Sequence, residues 1–76
     1  MPWTRPLPAP IALQDGRMLV TLADARGLVR SLPRQRQRDE QWRYVDGLLL
    51  EAATGRGAMG KVKTELLSAL RSDGLI

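Results

Sequence analysis

The apolar positions along this chain change their period near Thr21, and that change separates a hairpin from a run of helices. Between Ile11 and Thr21 the residues read Ile-Ala-Leu-Gln-Asp-Gly-Arg-Met-Leu-Val-Thr, two short apolar runs flanking Asp15-Gly16. An Asp-Gly pair in that setting is the strongest local hairpin signal, because both central residues of a type I′ turn need φ > 0. The spacing predicts a two-residue turn that pairs Gln14 with Arg17, Leu13 with Met18, Ala12 with Leu19 and Ile11 with Val20. Since side chains alternate, Ile11, Leu13, Met18 and Val20 are expected on the core face, and Ala12, Gln14, Arg17, Leu19 and Thr21 on the other. Two strands are marginal in water, so helices must cover the core face.

Beyond Thr21 the period is helical. Thr21-Leu-Ala-Asp24 resembles a capping box, with a hydroxyl for an orphan amide and a carboxylate near the positive end of the dipole. A helix over 22–32 places Leu22, Ala25, Val29 and Leu32 on one stripe with Leu28 beside it, and Pro33 stops it. Arg34 to Arg38 contains no apolar residue and is expected to be a solvated loop. A second helix over 39–54 carries Trp42, Val45, Leu48, Leu49, Ala52 and Ala53 on its stripe and closes on Gly55. A third, over 58–73, presents Met59, Val62, Leu66, Ala69 and Leu70 and closes on Gly74, with Leu75 placed for the apolar contact of such caps. Leu50 falls off the stripe of the second helix and Leu67 lies at the margin of the third. Together they are candidate contacts of a homodimer.

Prolines at positions 2, 6, 8 and 10 make residues 1–10 an extended arm or the frayed start of an edge strand, since proline cannot donate to a ladder. Trp3 is expected to fold back over apolar surface. These elements make one α+β domain over 1–76: a two-stranded antiparallel β-hairpin followed by, and packed against, three α-helices.

Composition then removes whole classes of function. The chain has 76 residues, no cysteine and no histidine. One domain of this size buries only about 60% of its unfolded surface and has little room to enclose an active site. Without cysteine there are no disulfides, thiolate nucleophiles or iron–sulfur ligands, and without histidine the commonest general base and zinc ligand is missing. No metal, no cofactor and no catalysis are expected. The prolines interrupt any secretory leader, and no segment nears the roughly 18 apolar residues of a membrane span. A cytoplasmic protein with no membrane association is therefore expected.

The net charge of +4 is local. From Met1 to Asp24, Arg5 and Arg17 balance Asp15 and Asp24. From Tyr44 to Ile76, Arg56, Lys61, Lys63 and Arg71 balance Asp46, Glu51, Glu65 and Asp73. The whole excess falls between Ala25 and Arg43, where Arg26, Arg30, Arg34, Arg36, Arg38 and Arg43 meet only Asp39 and Glu40. These six arginines are the candidate contacts for an anionic partner. Guanidinium forks pair with phosphates, and Trp42 with Tyr44 offers stacking surface, so a nucleic-acid-binding module stands as the alternative to a protein–protein interaction module.

Other motifs point to no chemistry. Gly55-Arg-Gly-Ala-Met-Gly60-Lys61 satisfies two phosphate-loop patterns, yet such loops join a strand to a helix and need a hydroxyl after the lysine. Here the preceding segment is helical and Val62 stands in the hydroxyl position, so a helix–helix connection with Gly55 as cap and Gly57 in the turn is expected. Asp39 and Glu40 are adjacent and project about 100° apart on a helix, so they cannot flank one substrate bond. Ser31, Ser68 and Ser72 have no histidine to activate them.

The order of these features resembles an alphaproteobacterial (rhizobial) family, domain-of-unknown-function family 982. The likeness runs over nearly the whole chain: Trp3, Pro6 and Pro8 before a first strand, strand–turn–strand around Asp15-Gly16-Arg17, and the helix start Thr21-Leu-Ala-Asp-Ala-Arg. It continues with Pro33 ending that helix, an aromatic early in the next (Trp42 or Tyr44), Gly55-Arg56 after it, and terminal Gly74-Leu75-Ile76. Leu32 stands where the family usually has tryptophan, and the second helix lacks the family's cysteine. The resemblance implies the hairpin-plus-helices fold and no activity.

Overall fold

The computed structural model describes residues 2–55 and 59–76. Two antiparallel strands, β1 (Pro6–Ala12) and β2 (Met18–Thr21), precede α1 (Leu22–Ser31), α2 (Arg34–Gln37), α3 (Glu40–Ala53) and α4 (Met59–Ser72). This is the expected α+β class, a two-stranded hairpin followed by helices, with one short helix added.

The register of the hairpin differs from the expected one by a single residue. Ile11 pairs with Leu19 and Ala12 with Met18, and the Leu13 N–H donates to the Arg17 carbonyl at 2.8 Å. The loop therefore holds Gln14, Asp15 and Gly16. Gly16 has φ +92° while Asp15 is not in the positive region, which a type I′ turn does not allow. The Gly16 N–H donates back to the Leu13 carbonyl at 3.1 Å, and the Asp15 carboxylate accepts the Arg17 backbone N–H at 3.0 Å and its Nε at 2.6 Å. That is a three-residue loop with a glycine bulge. A one-residue slip turns every side chain of a strand over. Leu19, 4% exposed, joins Leu7, Ile11 and Leu13 in the core, whereas Met18 and Val20 are 51% and 43% exposed.

Of the two forms expected for the proline arm, residues 6–10 take the edge strand. Pro2–Thr4 form a 3-10 turn, and Pro6 to Pro10 belong to β1, with an irregularity between Pro6 and Ile11. An edge strand tolerates these prolines because its outward positions need no ladder donor. Trp3 packs on the core as a lid.

At the start of α1 the capping box is complete. Thr21 Oγ1 accepts the Asp24 N–H at 3.2 Å, and the Asp24 carboxylate accepts the N–H groups of Val20 at 2.9 Å and Thr21 at 3.1 Å. Those two backbone donors hold the Asp24 carboxyl below the usual aspartate range. Pro33 keeps Leu32 extended and ends the helix.

Residues 34–38 do not form the expected open loop. Arg34–Gln37 make one turn of helix after Pro33, whose carbonyl accepts the N–H groups of Arg36 and Gln37 at 2.9 and 3.1 Å. The Gln37 side-chain amide donates to the carbonyls of Leu32 at 2.7 Å and Arg30 at 3.2 Å. The turn thus satisfies carbonyls that the end of α1 leaves orphaned, a contribution that apolar periodicity does not register.

Asp39 caps α3 through the Gln41 N–H at 3.0 Å. Gly55 follows α3 with φ +84°; the turn expected at Gly57 lies outside the described residues. The end of α4 is a Schellman motif. Gly74, at φ +71°, donates to the Arg71 carbonyl at 3.1 Å, and Leu75 donates to that of Leu70 at 2.8 Å. The Leu75 side chain then packs on the core.

One core joins these elements, with Trp42, Leu22, Leu49, Leu66 and Leu70 fully buried within it. The hairpin is tied to the helical layer at both ends. Arg5 Nη1 donates to the Ala52 carbonyl at 3.3 Å, and Gln14 donates through its backbone to Leu75 at 2.9 Å and through its side chain to Ile76 at 3.2 Å. No buried side-chain nitrogen or oxygen among the described residues lacks a partner.

Candidate interaction surfaces

The register determines what the hairpin shows to solvent. With Ile11, Leu13 and Leu19 turned inward, the outer face carries Pro10, Ala12, Met18 and Val20, all exposed. A hairpin with one wet face normally alternates apolar-in with polar-out. This outer face has no charged side chain among those four positions. The expected core face was half wrong here, and the exposed pair is the part of the site that sequence reasoning missed. The available signal was the unbroken apolar run Met18-Leu19-Val20, which has no alternation and so no preferred face.

Beside this face an open groove of about 390 Å³ separates β2 from α1, with Met18 and Leu19 on one wall and Ala23, Gly27 and Leu28 on the other. Its carboxylate, Asp24, is engaged in capping. Arg17, paired with Asp15, lines it as well, so the groove presents mixed polar and apolar surface with no free acid–base pair.

The six arginines do not act as one group. The Arg26 guanidinium lies 4.3 Å from the Trp3 ring centroid, within cation–π range. Arg36 Nη1 pairs with Asp73 Oδ1 at 3.0 Å. Arg30, Arg34, Arg38 and Arg43 are exposed and make no ion pair among the described residues. Of the two aromatics named for stacking, only Tyr44 is exposed, at 45%. Trp42 is buried, with its indole N–H donated to Asp73 Oδ2 at 2.7 Å, and Lys61 Nζ sits 5.6 Å from the Tyr44 ring centroid.

Leu50 is 55% exposed, while Leu67 is half-buried against the core. The Gln41–Ser68 hydrogen bond at 3.2 Å marks the side of α3 that faces α4. Leu50 lies nine positions after Gln41, half a turn away at 3.6 residues per turn. It points away from α4, so the structure does not gather Leu50 and Leu67 into one patch.

Part of the stretch Gly55 to Lys61 lies outside the described residues. Helix α3 leads into it and helix α4 leads out, so no strand delivers it to a helix. Among the described residues no group of three or more acidic, histidine or cysteine side chains is placed to hold a metal ion, and no helix is long and apolar enough to cross a membrane. Comparison with protein-family models, with curated proteins and with solved structures found no match to this chain.

Proposed function

We propose that this chain is a non-enzymatic protein–protein interaction module that docks through the outer face of its hairpin, and that a second copy of the chain is the occupant. The observation that carries this reading is the exposure of Met18 and Val20 beside Pro10 and Ala12. Contiguous exposed apolar side chains are candidate docking sites, and a self-complementary face suits the two-fold interfaces that dominate homo-oligomers. The +4 resides in residues 25–43, whereas residues 1–24 balance to zero, so two such faces meet without like-charge repulsion between them. Strand β2 is four residues long, giving a two-stranded face of roughly 13 by 10 Å. That is well below the ~800 Å² per partner of a standard interface, so the association is weak and concentration-dependent.

The chemistry of the chain supports a binding role over catalysis, because it has no histidine or cysteine and its Asp24, Asp39 and Asp73 carboxylates are engaged, the first two in helix caps and the third by the Trp42 indole. A cytoplasmic location and membership of the alphaproteobacterial family are part of the same proposal; the family's hairpin-then-helices layout agrees with this fold and brings no activity.

Amide NMR spectra recorded over a dilution series test the reading. Signals of Ala12, Met18 and Val20 are expected to move with concentration. Movement confined to the surroundings of Leu50 would relocate the interface to α3, and spectra that do not change at all would refute self-docking.

A further inference from the structure

We propose that the corner formed by the end of α1, α2 and the first turn of α3 is a second binding surface, which takes the phosphate backbone of duplex nucleic acid through Arg30, Arg34, Arg38 and Arg43. Backbone geometry brings these residues into one corner. Gln37 ties α2 to the carbonyl of Arg30 at 3.2 Å, and α2 runs through Arg38 directly into Asp39, the residue that caps α3 four positions before Arg43. Arg34 and Arg38 are four apart on a helical turn and lie side by side about 6 Å apart along its axis. All four guanidinium groups are exposed and without an ion pair among the described residues. Of the two nearest carboxylates in sequence, Asp39 is engaged in capping α3 and Glu40 is exposed.

Three features select a phosphate backbone. The planar fork of arginine pairs bidentately with phosphate, and duplex DNA presents one charge per about 1.7 Å of its axis, so several phosphates fall within the span of this corner. Protein interfaces are anchored by buried aromatic or apolar side chains at their centre. Of the exposed large hydrophobic side chains, Met18, Val20, Tyr44 and Leu50, Tyr44 alone adjoins the corner in sequence, at its edge after Arg43, and none lies between the four arginines, so the corner has no apolar centre of the kind an acidic protein would need. Single strands are held by stacking of successive bases on aromatics, and here Trp42 is buried, which leaves Tyr44, 45% exposed with Lys61 Nζ 5.6 Å from its ring centroid, as the one of the two that is open to solvent. What remains is a surface on which four exposed arginines outnumber the two carboxylates Asp39 and Glu40, a net positive charge suited to the outside of a duplex.

Fluorescence anisotropy of a short random-sequence duplex DNA, titrated with the intact protein at several salt concentrations, tests this. Four phosphate contacts predict a log–log salt slope of about −3.6, a loss of roughly a hundredfold between 50 and 200 mM salt. The Arg34→Gln/Arg38→Gln variant is expected to halve that slope. Arg26→Gln and Arg36→Gln, which alter cations already engaged by Trp3 and Asp73, are expected to leave it nearly unchanged. Absence of binding at low salt overturns the proposal. So does an equal fall in slope for both pairs of substitutions, which would reduce the effect to net charge. Displacement of the duplex by polyglutamate as readily as by an equal charge of competitor DNA would assign the surface to acidic proteins instead. A Met18→Glu substitution is expected to leave duplex binding intact, so loss of self-docking and loss of nucleic-acid binding are separable.

Discussion

Trp42 and Asp73 join the start of α3 to the end of α4 through an indole N–H donated to a carboxylate oxygen at 2.7 Å. The other oxygen of the same carboxylate receives Arg36 from α2 at 3.0 Å. One side chain thus connects three helices, at a point where a buried indole would otherwise have no acceptor.

Removing that acceptor should cost far more than removing the arginine. Asp73→Ala leaves the indole N–H of a buried tryptophan unsatisfied, with an expected loss of about 1–3 kcal/mol. Arg36 is the exposed member of its ion pair, and Arg36→Ala is expected to cost less than about 1 kcal/mol. Urea denaturation of the two variants measures both. Equal losses would mean that the ion pair, and not the indole hydrogen bond, is what Asp73 supplies.

The hairpin register makes an ordering prediction. Leu19→Ala opens a cavity in the core and is expected to cost about 2–5 kcal/mol, whereas Met18→Ala, at a 51% exposed position, is expected to stay within about 0.5 kcal/mol of the parent. A two-residue turn at Asp15-Gly16 would reverse that order. Thermal or urea unfolding of the two alanine variants decides between the registers.

The same region shows where the sequence stopped being legible. Helix ends were readable because their signals are local: Thr21 with Asp24, Pro33 after Leu32, Gly74 before Leu75. Each is satisfied by backbone groups a few residues away. The loop Gln14-Asp15-Gly16-Arg17 admits both a two-residue and a three-residue turn, and they differ in whether Asp15 takes a positive φ and whether Gln14 joins the loop. Met18, Leu19 and Val20 are all apolar, so no alternation corrected the choice. The helical turn at Arg34–Gln37 has no apolar stripe to announce it, because it is held by the Gln37 amide. Within the candidate sites, the arginines were all visible in sequence. Which of them are engaged depended on Asp73 and Trp3, each far along the chain from its cation.

Acid should weaken the junction between β2 and α1. The Asp24 carboxyl sits below its usual range because the Val20 and Thr21 N–H groups favour its ionised form. A folded-state pKa below the unfolded one gives stability that is fully present above the unfolded value, about 3.9, and is lost as pH falls through the folded value. Asp24→Ala is therefore expected to lower Tm at neutral pH, with the difference from the parent shrinking on acidification below about pH 4. A difference in Tm that is the same at every pH would contradict this account of the cap.

The most direct test of the docking surface is sedimentation equilibrium of the parent chain, Met18→Glu and Leu50→Glu, from roughly ten to several hundred micromolar. The parent and Leu50→Glu are expected to rise above the monomer mass of 8.5 kDa as concentration increases, while Met18→Glu remains folded and monomeric. A parent chain that stays at the monomer mass throughout, or a dimer that Leu50→Glu abolishes and Met18→Glu preserves, would contradict docking through the outer face of the hairpin.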